Sequence, residues 1–240
     1  MKLNVLFSPG NIDELYFTGK TTVVIDVLRA STTIVEALKN GAKDVVPVAT
    51  VEFAVKISGG MFGGQTLLCG ERYTKKIEGF ALGNSPLEYK KDVVSGKSIV
   101  FYSTNGTKAI VKAKFSENLF ICAFSNLESI AQNLKKFDTD CVILCAGNNN
   151  LFSLEDSVCA GALIDQIKKI KKNVELSDAA KGALALNSSF GKNKLNILTE
   201  SEHGKILIKN GFLKDLKFCS NENTTNIVPY YTNSVIKALG

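Results

Sequence analysis

The sequence predicts an α/β fold, a three-layer α/β/α arrangement around a mostly parallel or mixed sheet. Three observations carry this. Short apolar runs alternate with helical patterns from residue 3 to residue 171. The runs are almost continuously apolar, as strands covered on both faces are. Beyond Val174 the pattern turns mainly helical, which adds a helical C-terminal segment. The 240 residues are enough for a sizeable core, and 45% hydrophobic with 22% charged residues is ordinary for a globular chain.

The first strand, residues 3–7, stops at the turn Ser8-Pro9-Gly10. The second, 22–27, contains three consecutive β-branched residues, Val23, Val24 and Ile25, and then delivers Asp26, Arg29 and the hydroxyls of Ser31, Thr32 and Thr33. A helix is expected over 33–40, because Thr33 and Glu36 have capping-box spacing and Gly41 suits a left-handed helix end. Further strands are expected at 44–48, 66–69, 98–103, 119–123 and 141–145, with helices at 51–58, 107–114, 127–137 and 154–171. Helices at 179–188, 200–210 and 213–220 follow, then a last strand at 228–231 ahead of a short terminal helix. Residues 20–97 and 98–172 both read β-α-β-α-β with similar spacing. This suggests an internal duplication within one domain spanning 1–240.

Composition excludes several classes. No apolar run reaches membrane-spanning length, and the N-terminal run is too short and wrongly flanked for a signal peptide, so a cytoplasmic protein is expected. The net charge of +6 comes from scattered lysines, with no aromatic-interleaved basic patch and no Trp, so nucleic acid is not an expected partner. The field suits a small anionic substrate. Six cysteines lie mostly in apolar strand-like runs, with no CxxC pair and one histidine, so neither disulfides nor structural zinc is expected.

Four polar segments follow strands, where α/β sheets place ligands. In the first, Asp26 and Arg29 stand at a strand's carboxyl end. The second, residues 70–86, is long for a loop and holds Glu71, Arg72, Asn84 and Ser85. Arg29 and Arg72 are the only arginines among 29 basic residues. A planar guanidinium binds phosphate, carboxylate or sulfonate bidentately; two structural ion pairs are the alternative. The third segment, Ser103-Thr104-Asn105-Gly106-Thr107-Lys108, opens a helix and reads as an anion cradle or as a turn with an N-cap. In the fourth, 145–161, Ser153 and Asp156 have capping spacing, while Glu155 and Asp156, brought near Asp26 and Glu71, would offer oxygen ligands to a hard cation such as Mg²⁺. His203 is a candidate acid/base or substrate ligand, or a structural residue.

The motifs V-I-D-V-L-R-A-S-T-T, G-E-R…K-I-E-G-F-A-L-G-N-S-P, S-T-N-G-T-K and C-A-G…S-L-E-D-S-V-C-A-G, in this order, resemble the 2-phosphosulfolactate phosphatase family over roughly residues 3–215. The chain departs from the family pattern at Thr74, where glycine is usual, and at Ala81, where an acid is common. The resemblance implies a Mg²⁺-dependent phosphomonoesterase that converts 2-phosphosulfolactate to sulfolactate and phosphate on a coenzyme M type of route. On this reading Asp26, Arg29, Glu71 and Arg72 carry catalysis. Asn84, Ser85, Thr104, Asn105, Gly106, Thr107 and His203 bind substrate, and Asp26 with Glu155 or Asp156 holds the metal, with Glu71 a further candidate ligand. The expected assembly is a homo-oligomer, a dimer. Two other readings use the same parts: a lyase or isomerase of phosphorylated hydroxy acids, and a binding protein for a small sulfonated or phosphorylated acid.

Overall fold

A computed structural model of the chain describes residues 1–10, 12–58, 66–137 and 139–239. Its strands are β1 (Lys2–Leu6), β2 (Thr21–Ile25), β3 (Asp44–Val48), β4 (Thr66–Arg72), β5 (Lys75–Lys76) and β6 (Ser98–Tyr102). β7 (Asn118–Cys122), β8 (Cys141–Cys145), β9 (Glu175–Leu176), β10 (Pro229–Thr232) and β11 (Val235–Ala238) complete the sheet. The helices are α1 (Ala30–Lys39), α2 (Val51–Ser58), α3 (Lys91–Val94), α4 (Gly106–Lys112) and α5 (Leu127–Leu134). They continue with α6 (Leu154–Ile170), α7 (Asp178–Phe190), α8 (Lys194–Glu200), α9 (Glu202–Lys209) and α10 (Leu213–Cys219).

The sheet order is β5-β4-β6-β3-β11-β10-β7-β2-β8-β1-β9. Two parallel blocks, β4-β6-β3 and β7-β2-β8-β1-β9, are joined through the antiparallel pair β10–β11. Outward from that pair the order is β3, β6, β4 on one side and β7, β2, β8 on the other. Neighbouring strand residues face opposite sides of the sheet. Val24, Ile99 and Phe101 therefore join Ile34, Leu38 and Ile110 of α1 and α4 in one core. Val23 and Ile25 turn instead to the layer of α5, α6 and α7, and Val100 and Tyr102 turn to α2. These are the three expected layers. No helix among the described residues is long and apolar enough to cross a membrane.

Three expectations are corrected. Where a short terminal helix is expected, the described residues form a second strand, β11. Asn233 and Ser234 have φ of 49° and 65°, the two-residue hairpin geometry that returns Val235–Ala238 along β10. The helix expected over 200–210 is broken at Ser201, which is extended and whose Oγ accepts from the Gly204 N–H at 3.1 Å, so α9 starts afresh. α1 begins at Ala30, not Thr33, because Asp26 caps it from outside. Thr33 then lies inside the first turn, where its hydroxyl donates to the Asn84 carbonyl at 2.9 Å.

Candidate active site

Asp26 is the first residue beyond β2. Its Oδ1 accepts from the Ala30 N–H at 3.2 Å, its own N–H donates to Ser31 Oγ at 2.9 Å, and its carbonyl accepts from the Ser31 N–H at 2.9 Å. The carboxylate thus satisfies one free N–H at the start of α1, that of Ala30, and faces the positive end of its dipole. α4 comes in from the other side. A Cβ on Gly106 would overlap both the Asp26 carboxylate and the Ala30 methyl, so only glycine allows this approach.

Two further acids tie loops together. Glu71 accepts from the Thr74 N–H at 2.8 Å and from the Thr104 N–H at 2.7 Å, joining the β4–β5 turn to the loop after β6. That turn is tight, with φ of 53° at Tyr73 and 71° at Thr74. Asp156 accepts from the Val27 N–H at 2.9 Å and the Gly147 N–H at 3.1 Å, joining the loops after β2 and β8. Ser153 caps α6 as expected, its Oγ accepting from the Asp156 N–H.

Arg29 is buried and already partnered. Its Nη1 donates to Asp215 at 2.6 Å, its Nη2 donates to the Thr74 carbonyl at 2.7 Å, and its guanidinium lies 4.2 Å from the Phe212 ring centroid. This ion pair braces α10 against the β4–β5 turn, while Arg29 also lines the central pocket. Ser85 donates to the same Asp215 carboxylate at 2.8 Å.

Asp26, Arg29, Glu71, Asn84, Thr104, Asn105 and His203 line one pocket of about 150 Å³. The other expected residues lie outside it. Arg72 is exposed on the β4–β5 hairpin, because β4 runs three residues further than expected and carries it out with the turn. Thr107 is buried in reciprocal hydrogen bonds with Ser103. Glu155 faces an adjoining depression that also contains His203. Leu28, Tyr73, Thr74, Asn148, Asn149 and Ile206 also line the central pocket without having been singled out from sequence. Asn148 and Asn149 belong to a conspicuous three-asparagine run; an apolar residue such as Leu28 or Ile206 carries no chemical signal.

The buried acids repel one another. Asp26 is pushed up to about 7, first by burial and then by the charges of Glu71 and Glu155, against the opposing Ala30 N–H and Arg29. Burial also raises Glu155, and it raises Asp156 well above the carboxylate range with the charges of Asp26 and Glu155 adding to it. His203 is shifted the other way, toward the neutral imidazole, mainly by burial. All six thiols are free and buried, and burial pushes Cys141 up to about 12.

Among the described residues no group of three or more His, Cys, Asp or Glu side chains is arranged to hold a metal. Asp156 and Glu71 are engaged by backbone amides. Yet Thr74 Oγ1, Asn84 Oδ1 and Thr104 Oγ1 are buried without a hydrogen-bond partner, and all three residues line the pocket beside Asp26. A buried polar atom without a partner is costly. One carboxylate and several neutral oxygens suit Mg²⁺, which keeps waters and takes its remaining ligands from substrate oxygens.

The fold and site define an α/β protein with a small, acid-rich pocket beside the carboxyl ends of its parallel strands. Comparison with known proteins makes this specific. The family model described as 2-phosphosulpholactate phosphatase matches residues 6–234, and the chain belongs to that family of phosphoric monoester hydrolases. A Thermotoga petrophila protein named probable 2-phosphosulfolactate phosphatase is 44% identical over 216 residues, covering 90% of this chain and 91% of its own. A Clostridium beijerinckii protein of the same name is 37% identical over 239 residues, 98% and 99% of the two chains. A third, from Thermotoga maritima, is 45% identical over 217 residues, 90% and 91% of the two chains.

Proposed function

We propose that this protein hydrolyses 2-phosphosulfolactate to sulfolactate and phosphate with Mg²⁺. The supporting observation is that Asp26 lines one small pocket together with Thr74, Asn84 and Thr104, each of which carries a buried oxygen without a hydrogen-bond partner, in a chain of this family. Asp26 would hold the cation, with Thr104 and Asn84 offering neutral oxygens. When bound, the cation supplies neutralisation of the phosphoryl oxygens and lowers the pKa of water. In the reaction a water oxygen bonds to phosphorus as the ester P–O bond breaks, and the sulfolactate hydroxyl gains a proton. His203, held neutral by burial, is the pocket's proton acceptor for the incoming water. Glu71 fixes the β4–β5 turn to the loop after β6, Asp156 fixes the loop after β2 to the loop after β8, and Arg29 fixes α10 to the β4–β5 turn.

The test is phosphate release from 2-phosphosulfolactate by protein treated with EDTA, before and after Mg²⁺ is restored. The expected result is release only after restoration. Conversion of the substrate without free phosphate would favour a lyase or isomerase, and binding without conversion would favour a binding protein.

A further inference from the structure

The proposed substrate carries three anionic groups, and the central pocket has little positive charge to meet them. Arg29 is neutralised by Asp215, and Arg72 is off the pocket. The depression on the Glu155 side is acidic, containing Glu155, Glu200 and Glu202, and repels anions. A third depression shares Thr104, Asn105 and Asn149 with the central pocket and adds Lys108 and Asn150, with Pro9 and Ala146. Among the described residues lining these three depressions, Lys108 is the one cation besides Arg29.

We infer that the depression around Lys108 is the subsite for the sulfonate of the substrate, and that Lys108 is the residue that selects for it. This rests on the phosphatase reading of the central pocket. The phosphate ester and the carboxylate branch from one carbon, so both reach a single hard cation at Asp26. A sulfonate is a weak metal ligand, sits one methylene further out, and is best met by an ammonium and amide N–H donors. Lys108 provides the first; its side chain is exposed and makes no call on the core. Asn105 and Asn149 provide the second on a braced wall, since the Asn149 N–H donates to Asn105 Oδ1 at 3.1 Å and links the loop after β6 to the loop after β8.

The experiment compares wild type, Lys108→Gln and Lys108→Arg on 2-phosphosulfolactate and on 2-phospholactate, which lacks the sulfonate. Binding of sulfolactate and of lactate is measured calorimetrically alongside. Loss of a charge-assisted hydrogen bond predicts a KM for 2-phosphosulfolactate raised roughly 10- to 150-fold in Lys108→Gln. Lys108→Arg should restore most of it, and the KM for 2-phospholactate should stay within about twofold, since that ligand has nothing to lose at the subsite. An unchanged KM for the sulfonated substrate, or equal losses on both substrates, overturns the subsite while leaving the phosphatase reading intact. Should wild type release no phosphate yet bind sulfolactate in a Lys108-dependent way, the subsite stands and the phosphatase reading falls. Neither turnover nor sulfolactate binding by wild type rejects both.

Discussion

Gly106 has no room for a methyl group, because the Asp26 carboxylate and Ala30 stand where it would go. Gly106→Ala must therefore push α4 away from α1 or turn Asp26 out of the pocket. Overpacking of this kind costs about 1–3 kcal/mol, and a displaced Asp26 should lower kcat/KM by at least about tenfold. Thermal melts with phosphate-release kinetics check both; wild-type behaviour in each would mean the carboxylate does not depend on this approach. At this scale much was legible. Asp26, Glu71, Thr104 and Asn105 stand out as polar residues just past apolar strands and Asn84 as part of a long polar loop, and the structure brings them to one pocket. What could not be read was the partner of Arg29. Asp215 lies 186 residues away, and the two meet only because α10 folds back over the site. Nor does sequence spacing distinguish a carboxylate that lines the pocket, as in Asp26, from one that ties two loops together outside it, as in Asp156.

In the β10–β11 hairpin the sequence reveals β10, where a strand is expected at 228–231, but conceals β11. Its strands are four residues each, too short for a period of 2 to be told from one of 3.6. Its turn residues, Asn233 and Ser234, both have positive φ, a geometry for which Asn-Gly is the favoured pair. Ser234→Gly should therefore stabilise the protein by roughly 0.5–1 kcal/mol, the left-handed penalty of about 1–2 kcal/mol less the backbone entropy of glycine. Denaturant unfolding reads this directly, and a destabilised variant would contradict the turn geometry. Longer elements were easier to place. β2, β3, β6 and β8 lie where runs of β-branched and apolar residues put them, and α6 starts at the cap that Ser153 announces.

On the scale of the whole molecule, alternating strands and helices reveal the three layers but not the order of the strands. The central pair of the sheet comes from the end of the chain, and β1 from its beginning inserts between β8 and β9. Those pairings are long-range, and local pattern does not encode them. The matched places of β2 and β6, β3 and β7, and β4 and β8 about the central pair are what duplication of a β-α-β-α-β unit would leave, and we propose that origin for the two halves. The arrangement draws the loops after β2, β4, β6 and β8 around Asp26, so that the central claim depends on this one carboxylate.

That claim is tested most directly by titrating Mg²⁺ into phosphate release from 2-phosphosulfolactate with wild type and Asp26→Asn, with melting curves alongside. Asparagine keeps the shape and an oxygen for the Ala30 N–H, so the fold should stand. The variant should need far more Mg²⁺ and show a kcat down by at least about 100-fold, roughly 2.7 kcal/mol of transition-state stabilisation. A folded variant with the wild-type Mg²⁺ dependence and rate would contradict the claim.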